Sequence, residues 1–345
     1  MPKSLPLKDF LLEPAPTFDV RSPAEYIQGH IPGSKSFPLF TNEERSQIGT
    51  AYKKQSRQQA VELGLILVQP KIESLLERAS SLLTISGKVL CWRGGMRSGF
   101  TARLLELAGY QIHTLQGGYK TFRRWALQRL KSVSASNFPA SLFILGGLTG
   151  SGKTAVLQAL QKAGEQIIDL ESLANHRGSS FGGIGLSDQP TQEQFENELA
   201  MGLQKLDWSK PVWMEDESRL IGRCHLPLAL FECMQQAPLF FLQCSLNRRL
   251  ENLLHQYGQA PKEQLLGATR RIAKRLGSQR TKETEQLFEK GEIEEAFEQL
   301  LSYYDKTYQH QLSKRQSIYT LTETEASNPD DCATILQTYY REQSL

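Results

Sequence analysis

Leu90-Cys91-Trp92-Arg93-Gly94-Gly95-Met96-Arg97-Ser98 decides how the first half of the chain is read. A short apolar strand, Lys88-Val89-Leu90, runs into a cysteine, and a Gly-Gly turn flanked by two arginines follows. Ser98 then opens an amphipathic helix with Leu104, Leu105 and Leu107 on its apolar side. A cysteine facing a helix N-terminus sits among unpaired N–H groups at the positive end of a dipole. Arg93 and Arg97 add full charge, and all of these favour thiolate over thiol. The same loop, from Trp92 through Gly94, Gly95, Met96 and Arg97 to Ser98, is also shaped to hold an anion. Cys91 is therefore read as a nucleophile inside an anion cradle, suited to a phosphate, sulfur or selenium carrier.

Outward from this loop the pattern alternates. Phe18-Asp19-Val20-Arg21 reads as a short strand ending in charge, and Ser22-Pro23-Ala24-Glu25-Tyr26 as a capped helix start. Asn42 to Leu83 reads as mostly helical, Tyr110 to Leu115 as a strand, and Tyr119 to Leu130 as a helix. Strand and helix in turn imply a parallel sheet covered by helices. Lys131 to Pro139 is small and polar and reads as a linker.

Beyond it Ser141-Leu142-Phe143-Ile144-Leu145 runs straight into Gly147-Leu148-Thr149-Gly150-Ser151-Gly152-Lys153-Thr154, with a helix from Ala155 to Ala163. This is a full G-x-x-x-x-G-K-[ST] loop in the strand–loop–helix setting it needs. Gly147, Gly150, Ser151 and Gly152 let backbone N–H groups converge on phosphate oxygens. Lys153 neutralises the outer phosphate and the Thr154 hydroxyl can hold Mg²⁺. Gln166 to Leu170, Pro211 to Met214 and Leu239 to Cys244 read as further strands. The loop after the second strand places His176 and Arg177 toward a ligand. His176 reads as an acid, base or anion contact, or equally as a turn histidine. Glu215-Asp216-Glu217 reads either as metal-holding carboxylates or as strand-end charges paired with Arg219 and Arg223. Arg270, Arg271, Lys274, Arg275 and Arg280 form the densest basic segment and the candidate RNA contact, with a solvated helix face as the alternative. Tyr303, Tyr304 and Tyr308 in the acidic helices that follow read as packing.

The 345 residues suffice for two domains, and 39% hydrophobic with 22% charged residues is ordinary for a globular protein. A net charge of +3 confines nucleic-acid binding to local patches. Five cysteines without a C-x-x-C pair argue against zinc or a disulfide framework and for a reducing compartment. No apolar run is long enough to cross a bilayer, so a cytoplasmic, membrane-free protein is expected.

Asp19-Val20-Arg21 with Glu25-Tyr26, Gly29-His30-Ile31-Pro32-Gly33, the cysteine loop and Leu115-Gln116-Gly117-Gly118 together resemble a rhodanese domain. The cysteine loop departs from the common sulfurtransferases by one residue, since Arg97 stands six after Cys91. It is similar to the loop of rhodanese-fold phosphatases, which implies a phosphate-bearing donor. The expected architecture is α/β: a rhodanese-like domain at 5–131, a linker at 132–139, and a P-loop NTPase-like parallel α/β domain with a helical C-terminal region at 140–345.

The domain order, with Ala174-Asn175-His176-Arg177-Gly178-Ser179, Glu217-Ser218-Arg219-Leu220-Ile221-Gly222 and Arg275-Leu276-Gly277, resembles the tRNA 2-selenouridine synthases. That resemblance implies tRNA carrying wobble 2-thiouridine as substrate, S-geranylation with geranyl diphosphate at the P-loop, and selenium-for-sulfur exchange with selenophosphate at the Cys91 loop. Cys91 would carry selenium covalently or assist its attack. No tightly bound cofactor is expected, a monomer is expected, and the selenophosphate-producing enzyme is a candidate partner. An apolar groove for the geranyl chain is required, with Phe181, Trp208 and Trp213 as candidate linings. The alternatives are a rhodanese-fused ATP-dependent kinase, a sulfurtransferase, and a tRNA-binding protein without catalysis.

Overall fold

A computed structural model describes residues 2–133, 138, 142–313, 315, 317–322 and 328–343. It divides into two compact units: residues 1–129 with 196–201, and residues 130–195 with 202–345. The linker reading at 132–139 falls largely outside the described residues, and the preceding helix, Gly118–Ser132, runs to the first of them.

The first unit is built on five strands, β1 (Lys3–Leu5), β2 (Thr17–Asp19), β3 (Lys35–Ser36), β4 (Ser86–Leu90) and β5 (Gln111–Leu115). Their order is β1-β5-β4-β2-β3 and every pairing is parallel. Lys88-Val89-Leu90 is buried on both faces, as a central parallel strand must be. Phe18, Val20, Phe37, Val89, Ala102, Leu105 and Ile112 form the core with the helices Arg57–Val68, Ile72–Ser80 and Met96–Leu107 around it. The strand β1, too short and too polar to announce itself, pairs with β5 at the sheet edge.

The second unit holds β6 (Leu142–Gly147), β7 (Gln166–Ile168), β8 (Val212–Glu215), a two-strand ribbon of β9 (Leu220–Ile221) and β10 (Cys224–His225), then β11 (Leu239–Gln243) and β12 (Ile318–Thr322). Its main sheet runs β12-β11-β6-β8-β7, again all parallel. The strand carrying the P-loop is therefore central, and the chain leaves it toward β7 on one side and β11 on the other. Ligands of open α/β sheets bind at the carboxyl ends of strands around such a reversal. On the helix Lys153–Lys162, Val156, Leu157 and Leu160 meet Trp213 and Phe240 across the sheet.

The helices Leu246–Tyr257, Lys262–Leu276, Ser278–Lys290 and Ile293–Leu312 make a separate apolar cluster. Leu250 and Leu253, Leu265 and Ile272, Phe288, Phe297 and Leu301 supply its core at helical spacing. Gly277, at φ +93°, ends one helix and starts the next, a conformation open to glycine and strained for other residues. The basic segment 270–280 is consequently bent and not one continuous helix face. Among the described residues no helix is long and apolar enough to cross a membrane.

Candidate active sites

Cys91 leaves the end of β4 and is 3% exposed, with Sγ 3.2 Å from Ser98 Oγ. The Ser98 hydroxyl also lies 3.2 Å from the Gly95 carbonyl. It can thus donate to the carbonyl while accepting from the thiol, or turn and donate to a thiolate. The helix Met96–Leu107 starts within the loop with no side-chain cap, so its first N–H groups point into the cradle.

The cradle rests directly on another backbone. A Cβ on Gly94 (φ +64°) would lie 2.6 Å from the Leu115 carbonyl oxygen, and one on Gly118 (φ +63°) would overlap the Cys91 carbonyl. Tyr119 N–H donates to Cys91 O at 2.8 Å and Lys120 N–H to Trp92 O at 3.0 Å. Tyr119 is held in turn by Arg21, whose guanidinium carbon lies 3.8 Å from its ring centroid. Arg21 is itself buried and paired with Asp19, Nη2 to Oδ2 at 2.6 Å, and it donates to Gly29 O. The Asp19-Val20-Arg21 motif is thus scaffolding for the loop.

The two loop arginines separate. Arg93 and Trp92 are exposed, whereas Arg97 is tied to Glu25, Nη1 to Oε2 at 2.7 Å. Burial alone would raise the Glu25 carboxyl. The hydrogen bond and charge of Arg97, the Ser22 N–H and Arg45 outweigh it and hold the group at about 2. Half of the positive charge expected around the anion is therefore already balanced, and Arg97 acts as a fixed wall of the loop instead of a free clamp.

The P-loop is shaped from outside. Arg249 Nε donates to Thr149 O at 2.8 Å and Asn252 Nδ2 to Gly150 O at 2.7 Å. Arg249 is fixed by Asp305, with Nη1 to Oδ2 at 3.0 Å. With those carbonyls engaged outward, and with the Gly147 and Ser151 N–H groups bonded to Tyr308 and to Leu148 O, the remaining N–H groups of the loop and of the first turn at Lys153 are left for a ligand. Lys153 Nζ donates to Gly147 O at 3.0 Å, and Ser151 Oγ is buried without a partner among the described residues. Gly147, Gly150 and Gly152 line the same cavity of about 780 Å³ with Arg177, Asp216, Tyr304 and Arg275.

Carboxyls crowd this cavity. Thr154 Oγ1 donates to Glu171 Oε2 at 3.0 Å. Burial first, then the charge of Glu171 against that of Lys153, pushes Glu217 up to about 8. Burial likewise raises Glu171 and, in the same cluster, Glu215. Glu215 Oε2 accepts the Leu170 N–H at 2.9 Å. Gly178 (φ +66°) lies against the Glu217 carboxylate, where a Cβ would come within 2.6 Å of an oxygen. Asp216 is taken up differently: Tyr308 donates to it at 2.6 Å and Arg315 pairs with it. Neither Arg219 nor Arg223 supplies that pairing. Tyr308 also accepts the Gly147 N–H, so this tyrosine and Tyr304 belong to the cavity and are not merely packing.

His176 sits against Gly182 and Gly183. Burial, then Arg271 and Arg177, lowers its pKa, which keeps the ring neutral and favours a base or hydrogen-bonding part over a cationic anion contact. Arg177 is spent on Ile184 O at 2.9 Å and on the Tyr257 ring. A second cavity of about 1380 Å³ shares Gly178, Ser179, Ser218, Arg275 and Tyr304 with the first and adds His176, Arg219, Arg223, Arg271 and Lys274. The basic segment therefore splits. Arg271, Lys274 and Arg275 face these cavities, Arg270 pairs with Glu285 at 2.6 Å, and Arg280 is exposed beyond the bend. Phe181 and Trp213 lie in two separate cores and Trp208 packs on Phe138, so the three expected groove linings do not form a groove.

A model described as the tRNA 2-selenouridine synthase AAA domain matches residues 140–341, and the rhodanese-like domain model matches residues 7–124. The chain belongs to the tRNA 2-selenouridine synthase family. Proteins named tRNA 2-selenouridine synthase from Sulfurovum sp. (strain NBC37-1) and Shewanella woodyi are each 36% identical to it. The first comparison covers 92% of this chain and 94% of the relative, the second 90% and 91%. That from Marinobacter nauticus is 35% identical over 89% of this chain and 91% of its own. As expected, this selenouridine synthase family member combines a rhodanese-like unit with a P-loop-type parallel sheet and a helical C-terminal region.

In this family member Glu171, Arg249, Asn252, Tyr304, Tyr308 and Arg315 escaped the sequence reading, since none stands in a motif. The carboxyl pair has a measurable consequence. An acid whose folded pKa is raised stabilises the fold below its unfolded value, here 4.5, and loses that contribution as pH rises through about 8. Glu217→Gln should therefore melt higher than the parent at about pH 9 and match it near about pH 5. Parallel melting curves at both pH values would show instead that Glu217 is ionised throughout.

Proposed function

We propose that the chain replaces the sulfur of wobble 2-thiouridine in tRNA by selenium, in two steps with one site each. At the P-loop the thio sulfur attacks C1 of geranyl diphosphate. The C–S bond forms, the C1–O bond breaks, diphosphate leaves with the electron pair, and the N3 proton of the uridine is lost. Lys153, the loop N–H groups and the orphaned Ser151 hydroxyl face the charge that develops on the leaving group. At the Cys91 loop selenophosphate is held by the N–H groups of the first helical turn, with Arg93 and Ser98, and the Cys91 sulfur assists the attack of its selenium. Its selenium bonds to C2, the C2–S bond breaks, and the sulfur leaves as geranylthiol with a proton. Water then takes the phosphoryl group from selenium as orthophosphate.

The observation that carries this reading is that two different strand–loop–helix turns, one holding the buried Cys91 and one holding Lys153, stand on a single chain of this family. Arg219, Arg223, Arg271, Lys274 and Arg275 offer RNA phosphates a basic wall beside the P-loop cavity. Thr154 and Glu171 are the residues that would hold Mg²⁺ against the diphosphate, where the ion would neutralise charge. We place the reaction in the cytoplasm, in keeping with five unpaired cysteines, and assign it to a monomer supplied by the selenophosphate-producing enzyme.

The test is nucleoside mass spectrometry of a thiolated anticodon stem-loop incubated with the pure protein, first with geranyl diphosphate and then with selenophosphate. A geranylated nucleoside that converts to 2-selenouridine is expected. An unmodified nucleoside under both conditions would sink the proposal and turn attention to ATP turnover and thiosulfate sulfurtransfer.

A further inference from the structure

An apolar opening of the first unit adjoins the Cys91 loop. It is a groove of about 540 Å³ between the helix Arg57–Val68 and the helix Met96–Leu107. Phe40, Val61 and Leu65 stand on one wall, Met96, Gly99 and Phe100 on the other. Only Arg97, Arg103 and Thr114 interrupt the apolar lining. Leu65 is 51% exposed and Met96 is 54% exposed, so apolar surface is presented to water where a soluble unit ordinarily hides it. The volume falls in the range of small-molecule sites.

Position decides what suits this groove. Gly94, Met96 and Arg97 belong at once to the cysteine loop and to the groove lining. A chain attached to a sulfur reacting at the loop would enter the groove directly. The groove has also been kept open by two small residues. A Cβ on Gly99 would meet nothing within 4 Å, and one on Gly64 would only touch Phe40 at 3.6 Å and Ile48 at 3.8 Å. Neither glycine has the positive φ that would demand its presence for backbone reasons.

We propose that this groove seats the isoprenyl chain of the S-geranylated uridine while selenium exchange takes place at the Cys91 loop. The proposal rests on the geranylation reading above and adds where the chain lies in the second step. Burial of the chain orients C2 of the uridine toward the bound selenophosphate, and the groove then retains the geranylthiol until it departs. Recognition by chain burial also makes the loop favour the geranylated uridine over its unalkylated precursor, which imposes the order of the two steps.

The experiment measures binding of the full chain to two chemically synthesised anticodon stem-loops, one with S-geranyl-2-thiouridine and one with S-methyl-2-thiouridine. The geranyl RNA is expected to bind about tenfold tighter or better, since most of its extra methylene surface leaves water. Gly99→Phe and Gly64→Leu, which fill the groove from opposite walls, should each abolish that preference while the S-methyl affinity stays as it was. The unchanged S-methyl affinity reports that the variants are folded.

Equal affinities in the parent protein, or a preference that survives both substitutions, would overturn the proposal. So would a parent chain that sediments as a dimer split by Gly99→Phe, because the groove would then belong to a second copy. The RNA is made without the enzyme, so the assay does not depend on geranyl transfer. Failure of that reaction would be seen separately, as a missing S-geranyl product from geranyl diphosphate.

Discussion

Lys153→Ala should lower geranyl transfer by about 100-fold or more, the usual cost of losing one donor aimed at developing charge. The residue is the cation at the head of the helix Lys153–Lys162, and its Nζ lies 3.0 Å from Gly147 O. Its surroundings make it more than one contact among several. Glu171 and Glu217 crowd the same cavity, and Lys153 is the group whose charge counters both. With alanine in its place a diphosphate would meet two carboxyls without the cation that the loop itself supplies, leaving only Arg177 and Arg275 on the cavity wall. The loss should fall mainly on kcat, because the demand is greatest when the C1–O bond breaks and the leaving group gains charge. Selenation of an RNA geranylated beforehand should proceed at the parent rate. Mass spectrometry of both half-reactions reads these outcomes, and near-normal geranylation would assign the P-loop to another ligand.

Cys91→Ser should give the converse pattern: no 2-selenouridine, with S-geranyl-2-thiouridine accumulating. Serine differs by one atom at a site that is 3% exposed, so packing among Phe18, Val20 and Val89 is preserved. The hydroxyl would still reach Ser98, but it does not ionise near neutral pH and is a far weaker nucleophile. The anion cradle survives, since its N–H groups belong to the backbone at Met96 to Ser98 and its shape is fixed by Gly94 against Leu115. Selenophosphate would still bind, and the missing function would be that of sulfur alone. A variant that makes the full amount of 2-selenouridine would remove Cys91 from the mechanism.

Much of this architecture was readable from local pattern. The buried strands β4 and β6, the two loops that follow them and the helices beyond are contiguous in sequence, and each is announced by apolar runs and glycines. What escaped was contributed from a distance. Lys3–Leu5 is a strand only because β5 offers it an edge, and Ile318–Thr322 only because β11 does. Tyr308 and Arg315 reach Asp216 through the fold, so nothing beside them in sequence signals their part in the site. Arg21 read as a strand-end charge and is a buried support for Tyr119. Phe181 and Trp213 show the reverse error: large aromatics near a ligand loop invited a ligand role, and packing claimed them.

The grip of Arg249 and Asn252 on the carbonyls of Thr149 and Gly150 limits how the molecule could be reduced or recombined. The helix that bears them, Leu246–Tyr257, also plants Leu250, Leu253 and Tyr257 in the helical cluster. The phosphate loop therefore cannot be lifted out as a small strand–loop–helix cassette and grafted onto another sheet with its shape intact. A minimal transplant would need to carry that helix, the Asp305 that holds Arg249, and the cluster that anchors both. Swapping whole C-terminal halves between relatives should succeed where exchange of the loop alone fails.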